Sequence, residues 1–222
     1  NRLSDVDPGA QLTPEDTGQV TIGSINPSLI LDRRDDPFNP RSGSLNGITV
    51  RDAAQILGSE AQFVKTTVQS SWYQALSSRF VFAFSARVGV AQRFGETQVI
   101  PLPERFFVGG RSTVRGYDQD KLGIEGITIN NGNPTGGNAM LIFNEELRIA
   151  LPQSFGLVLF FDHGNVWLDY RDIRFPDLKS TTGVGVRYNT PVGPFRLDWG
   201  YKLNREADES PWALHFTLGH AF

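Results

Sequence analysis

A strict two-residue period constrains this chain more than any other feature. In PFRLDWGYKL, residues 194–203, Phe195, Leu197, Trp199, Tyr201 and Leu203 fall on one side of an extended strand. Arg196, Asp198, Gly200 and Lys202 fall on the other. Successive side chains of a strand point to opposite faces, so a strand keeps these two sets apart and a helix would mix them. The pattern recurs. TGVGVRYN sets Thr182, Val184, Val186 and Tyr188 against Gly183, Gly185, Arg187 and Asn189. RFVFAFSARVGV sets Phe80, Phe82, Phe84, Ala86, Val88 and Val90 against Val81, Ala83, Ser85, Arg87 and Gly89. WALHFTLGHAF sets Leu214, Phe216, Leu218 and Phe222 against Ala213, His215, Thr217, Gly219 and Ala221. With 16 Phe and 23 Gly for strands and tight turns, the chain reads as all-β.

Strands are expected at 19–31, 43–54, 61–75, 79–91, 138–150, 156–166, 181–190, 194–203 and 212–222, with Pro27 interrupting the first. Their connections alternate in length. QALSS, LPQSFG and NTPVG are short, and DRRDDPFNPRSG is a longer member of the same set. DAAQILGSE, 92–137, 167–180 and NREADES are longer or more polar. Short turns at one end and long polar loops at the other describe an antiparallel outer-membrane barrel. A soluble sandwich also alternates. Strands of about 10–12 residues match a tilted bilayer crossing and exceed the usual strand of about five or six. Trp72, Tyr73, Trp167, Tyr170, Trp199, Tyr201 and Trp212 fall mostly near strand ends, as interfacial girdles do.

Composition closes other routes. The formal net charge of −3 lacks the basic excess of a nucleic-acid binder. There is no cysteine, hence no disulfide and no thiolate metal site. No apolar run reaches the length of about 18 residues that a transmembrane helix needs. The polar start, NRLSDVDPGAQLTPEDTGQ, lacks the basic and apolar regions of a signal peptide, so the chain is expected to begin as a mature protein or a fragment. No G-x-S-x-G, P-loop or H-E-x-x-H occurs. Asp162–His163 and Glu145–Glu146 are adjacent strand residues that face opposite sides, so neither forms a dyad. His163, His215 and His220 have no ligand spacing. No catalysis, cofactor or metal is expected.

One segment breaks the period: FFVGGRSTVRGYDQD, residues 106–120, inside the longest connection. With GGNAMLIFNEELRIALP, LVLFFDHGNVW, GVGVRYNTPVGPFRLDWGY and the terminal FTLGHAF, in that order, it resembles the C-terminal part of the BamA/TamA/FhaC superfamily. DRRDDPFNPRSG is similar to a periplasmic turn of that family, so the likeness covers about residues 28 to 222. The resemblance implies a sixteen-stranded outer-membrane barrel preceded by periplasmic POTRA domains. The long loop 92–137 would fold into the lumen as a plug. Its tip would carry Val114, Arg115, Gly116 and Tyr117. Arg115 would pair with Asp162 of an F-x-D-x-G motif, Phe160, Asp162 and Gly164, and Glu146 would be a wall glutamate after the loop. Phe216, Leu218, Gly219 and Phe222 would belong to the terminal sorting and gate strand.

Parity agrees with an inward Asp162, since Phe160, Asp162 and Gly164 share one face against Leu157, Leu159 and Phe161. It also creates a conflict. If Glu146 points inward, Glu145 points at lipid with Leu141, Phe143 and Leu147, unless a bulge intervenes. Nine strands are an odd count, whereas bacterial single-chain barrels have an even one, and an eight-stranded barrel is filled by its own side chains. The chain therefore reads as nine C-terminal strands of sixteen, residues 19–222, with residues 1–18 a polar loop remnant. The implied function is insertion of outer-membrane β-barrels through a lateral gate at the terminal strand. A two-partner secretion pore and a passive structural or receptor barrel are the alternatives. The expected partners are the bilayer, unfolded outer-membrane clients, the POTRA domains and remaining strands, and accessory lipoproteins, with the C-terminus in the periplasm.

Overall fold

A computed structural model describes residues 20–190, 193–206, 209–219 and 222. The expected remnant 1–18 lies outside the described residues. The strands are β1 (Ser24–Ile25), β2 (Ser28–Asp32), β3 (Gly43–Ala53), β4 (Phe63–Ala75), β5 (Phe80–Arg93), β6 (Ile129–Asn130), β7 (Asn133–Pro134), β8 (Ala139–Ala150), β9 (Phe155–Trp167), β10 (Lys179–Tyr188), β11 (Phe195–Lys202) and β12 (Trp212–Leu218). Helix is confined to four single 3-10 turns among the described residues.

The long strands form one antiparallel meander in the order β3, β4, β5, β8, β9, β10, β11, β12, with β1 and β2 both paired to β3. Ser24 opposes Ala53 and Ser28 opposes Thr49, so β1 and β2 follow one register. They are two pieces of one strand. The break falls at Pro27, which has no N–H to give the ladder. Its carbonyl still accepts from the Val50 amide at 3.0 Å. The ladders on both sides of β8 run without a bulge, from Phe80 opposite Ile149 to Val90 opposite Ala139, and from Ala139 opposite Trp167 to Ala150 opposite Gly156. Parity therefore holds through β8. Glu146 faces inward and is buried, while Glu145 faces outward beside Phe84 and Phe161.

The faces are inverted relative to a soluble sandwich. Along β11, Phe195, Leu197, Trp199 and Tyr201 are exposed, and Arg196, Asp198, Gly200 and Lys202 are buried. β10 repeats the inversion, with Val184, Val186 and Tyr188 exposed and Arg187 buried. A water-soluble fold would solvate those charges and bury those aromatics. An apolar outer band around a polar interior is the arrangement of a barrel that faces lipid.

Segment 94–138 fills the inner side. Its Ile100, Phe106, Val108, Val114, Tyr117 and Leu122 pack against Phe63, Ala91, Met140, Ile142 and Val166 of the wall. Full burial of each large apolar side chain is worth about 1.5–3 kcal/mol. The wall leaves room for it: a Cβ on Gly89 would come within 2.6 Å of the Phe106 ring.

Two expectations are corrected. The last strand stops at Leu218 and does not run to Phe222. Gly219 takes φ +98°, a left-handed value open to glycine, and its amide donates to the Pro194 carbonyl at 2.8 Å. This turn breaks the alternation that grouped Phe222 with the outward Leu214, Phe216 and Leu218. The Phe222 ring instead stacks on the buried Tyr73 at 6.3 Å, and its main-chain oxygen accepts the Tyr73 hydroxyl at 3.0 Å. Tyr73 and Trp167 are likewise not girdle residues. Tyr73 shares the inward face with Ala83, and Trp167 is buried with Ile173 and Leu178 of the following loop.

Candidate functional site

The site is the tip of segment 94–138 and the wall it meets. The Leu122 amide donates to the Val108 carbonyl at 2.8 Å and closes the loop between them. Within it, the Gly109 amide donates to Thr113 Oγ1 at 2.9 Å, which tightens the turn ahead of the tip. Gly116 takes φ +100°, and a Cβ there would lie 3.1 Å from Thr181 Cγ2 and 3.2 Å from the Gly200 carbonyl carbon. The position needs glycine for both reasons.

Arg115 is 1% exposed and donates from each of its three side-chain nitrogens. Its Nε and Nη2 donate to Asp162 Oδ2 and Oδ1, each at 2.8 Å, and its own amide donates to Oδ2 at 3.0 Å. Nη1 donates to Glu146 Oε1 at 2.6 Å. The guanidinium lies 3.7 Å from the Phe160 ring centroid, a cation–π contact in a desolvated place. Planar fork-to-fork pairing of this kind is stronger than a point-charge contact and fixes orientation as well. A lysine could not reproduce it.

The wall completes the arrangement. Asn144 Nδ2 donates to Asp162 Oδ1 at 2.9 Å and to the Thr113 carbonyl at 2.6 Å, so it joins the acceptor to the loop. Arg148 Nε donates to Glu146 Oε2 at 2.8 Å. On β10 and β11, Arg187 Nη1 donates to Asp198 Oδ1 at 2.5 Å, and Asp198 Oδ2 lies 3.7 Å from Arg115. Arg196 Nη2 donates to the Arg111 carbonyl, a second grip on the loop. The Gly116 amide donates to His215 Nε2 on β12 at 3.3 Å. Lys202 Nζ sits 4.1 Å over the Tyr117 ring. Space is made by absent side chains. A Cβ on Gly164 would meet Val114 Cγ2 at 2.8 Å, and one on Gly200 would meet the Gly116 amide nitrogen at 2.6 Å.

The structure thus brings together Val114, Arg115, Gly116, Tyr117, Glu146, Phe160, Asp162 and Gly164. Phe216 and Leu218 do not join them: they lie exposed on the outer side of β12, with Phe216 stacked on Phe195 at 6.3 Å. Gly219 and Phe222 are at the strand's far end, as described above. Sequence reasoning missed Asn144, His215 and Gly200 as contacts of the tip. Parity places Arg187, Arg196 and Asp198 with the inward set, and that was the available signal. Which of them meet each other depends on curvature that parity does not carry. Among the described residues, no group of three or more His, Asp or Glu is placed to hold a metal ion. The arrangement can pin and orient a loop.

An inverted antiparallel wall whose lumen is charged, and into which a loop is locked, defines the barrel region of an outer-membrane-type β-barrel protein. The Omp85 superfamily domain matches residues 2–222, and the chain belongs to that superfamily. It is 26% identical over 221 residues to the outer membrane protein assembly factor BamA of Neisseria meningitidis, with 86% of this chain and 27% of that protein covered. For BamA of Nitratidesulfovibrio vulgaris the identity is 25%, with 97% and 28% covered. A SAM50-like protein of Schizosaccharomyces pombe is 29% identical, with 93% and 46% covered. The chain thus spans less than half the length of these relatives. Among solved structures, BamA of Haemophilus ducreyi lacking POTRA domains 1–3 superposes with a TM-score of 0.69 at 20% identity, over 87% of this chain and 40% of that one. The fold is therefore that of the C-terminal part of a BamA-type barrel.

Proposed function

We propose that this chain is the C-terminal barrel region of a bacterial outer-membrane factor that assembles other β-barrel proteins. The observation that carries the reading is the Arg115 node, which ties the loop tip to β8 and β9 directly and to β12 through the neighbouring Gly116 amide. A plug fastened to the terminal strand makes loop position and strand mobility one variable.

β12 has seven residues, is paired with β11, and has no second partner strand among the described residues. Its other edge offers N–H and C=O groups on which a client strand can pair by β-augmentation. That edge is one side of a lateral gate. The C-terminus and the short turns face the periplasm, and the long loops face outward. The partners are the bilayer, unfolded outer-membrane proteins, POTRA domains and further strands beyond this chain, and accessory lipoproteins. Nucleic acid is not among them. No enzymatic step or cofactor is required, because client folding and lipid burial are downhill.

The test is photo-crosslinking in the full-length protein. A crosslinker at Leu214, on the outer face of β12, should capture nascent client strands. The same group at Val184, on the outer face of the interior strand β10, should not. Equal capture at both, or none at Leu214 while clients still assemble, would sink the gate.

A further inference from the structure

Independently of that reading, the short-turn end of the wall holds an unclaimed site. A cavity of about 60 Å³ lies there, bounded by Asn39, Arg41, Arg79, Arg148, Arg187 and Asn189 among others. None of the described residues lining it is acidic.

Two of these arginines are buried with unused donors. Arg148 is 8% exposed; Glu146 takes its Nε, and its Nη1 and Nη2 have no hydrogen-bond partner among the described residues. Its guanidinium is flanked by the rings of Tyr73 at 5.3 Å and Phe222 at 5.5 Å, which position it without satisfying it. Arg187 is 5% exposed; Asp198 takes its Nη1, while Nη2 has no hydrogen-bond partner among the described residues and lies 3.8 Å from Glu146. The buried network also fails to balance. Arg115, Arg148, Arg187 and Arg196 face Glu146, Asp162 and Asp198, four cations against three carboxylates. Glu146 and Asp198 are each shared between arginines. A buried cation without its counter-charge is costly, and the donors left over are those of a fork that grips oxyanions.

We propose that this cavity binds a phosphate-class oxyanion through the Nη atoms of Arg148 and Nη2 of Arg187, with Arg79 at its mouth. The two guanidiniums come from different strands, β8 and β10, so their donors converge from different directions. A tetrahedral phosphate can accept from both, whereas a planar carboxylate satisfies one fork. Arg41 shapes the mouth: its Nη2 donates to the Ser77 and Ser78 carbonyls at 2.8 and 2.9 Å. The anion comes either free from solution or as a lipid headgroup at the rim.

The full-length protein, folded in a neutral sugar detergent, tests this by calorimetric titration with inorganic phosphate and, separately, with short-chain phosphatidic acid, against chloride at matched ionic strength. Saturable binding of both marks a site open to free phosphate. Binding of phosphatidic acid alone assigns the lipid headgroup as the source. Arg148→Gln should weaken either by about tenfold or more, as loss of charge-assisted bonds does. Arg79→Gln should weaken it by about twofold, the size of an exposed charge contact. Arg79 is exposed and its side chain has no bond or ion pair among the described residues, so this variant decides the matter even if Arg148→Gln fails to fold. Absence of saturable binding of either probe, or affinity unchanged in Arg79→Gln and in folded Arg148→Gln, overturns the proposal.

Discussion

The two sides of this sheet do different work. β10 and β11 alternate cleanly, with Arg187, Arg196, Asp198 and Lys202 inside and Tyr188, Phe195, Trp199 and Tyr201 outside, and among the described residues the side-chain contacts to Arg115 come from β8, β9 and β11. β2 to β4 do not. Register places Leu45 inward opposite Ser71, and Ser44, Asn46 and Ser70 outward with Trp72. Those outward polar groups satisfy one another: Asn46 Nδ2 donates to Ser44 Oγ at 3.1 Å, Ser70 Oγ to Asn46 Oδ1 at 2.6 Å, and Trp72 Nε1 to Ser70 Oγ at 2.7 Å. A lipid-facing wall tolerates polar side chains when they pair among themselves. The inward acids of β8, β9 and β11, Glu146, Asp162 and Asp198, have a different cause, which is the cationic loop tip they hold.

That contrast can be broken by substitution. The largest effect is expected for Arg115→Ala, which leaves Asp162 and Glu146 buried without their shared cation. Removing one partner of such a set costs about 3–5 kcal/mol. Limited proteolysis should then cut 94–138 in the folded barrel, and on the proposed function client assembly should fall. Gly200→Val should come next. Its side chain collides with the Gly116 backbone, an overpacking expected to cost about 1–3 kcal/mol. The loop should loosen while heat-modifiability on gels shows the barrel still closed. Asn144→Ala removes two bonds that join Thr113 to Asp162, each worth about 0.5–1.5 kcal/mol, and should raise amide exchange at the tip.

On the other side, Asn46→Ala should cost only about 1 kcal/mol by thermal melting, and the proteolysis pattern of 94–138 should not change. A loop loosened by Asn46→Ala would erase the distinction between the two regions. The smallest effect concerns the 33–42 turn. Desolvation is the largest single influence on Asp35 and raises its carboxyl, but the backbone amides of Arg41, Ser42 and Asp36 that donate to it together hold it below the usual range. A lowered folded-state pKa stabilises above the ordinary carboxylate value, and that contribution is lost as pH falls through the lowered one. Asp35→Asn should flatten this part of the acid melting profile by a small, measurable amount.

Several parts of this were legible in the residues. Alternation located the long strands β5 and β8 to β12, was weak over β1 to β3 and missed the short β6–β7 pair, while the parity of 157–164 agrees with Asp162 on the inner face. The Arg115–Asp162 pairing came from resemblance, since nothing local relates positions so far apart in the chain. Glu145 was ambiguous because a single bulge would have flipped it; the unbroken ladders of β8 remove that choice. Phe222 was misplaced because alternation was carried through Gly219, and one left-handed residue cancels the period beyond it.

The sequence by itself determined the strands, their faces and the polarity of the lumen, because a two-residue period is a local property of extended backbone. Only the tertiary structure decided that Asn144 bridges Thr113 to Asp162, that His215 receives the Gly116 amide, and that Gly200 makes room for the tip. It alone showed four buried guanidiniums beside three carboxylates. These depend on how far the sheet curls and on where a long loop lands within it. Both are set by packing between residues remote in the chain, which no local pattern encodes.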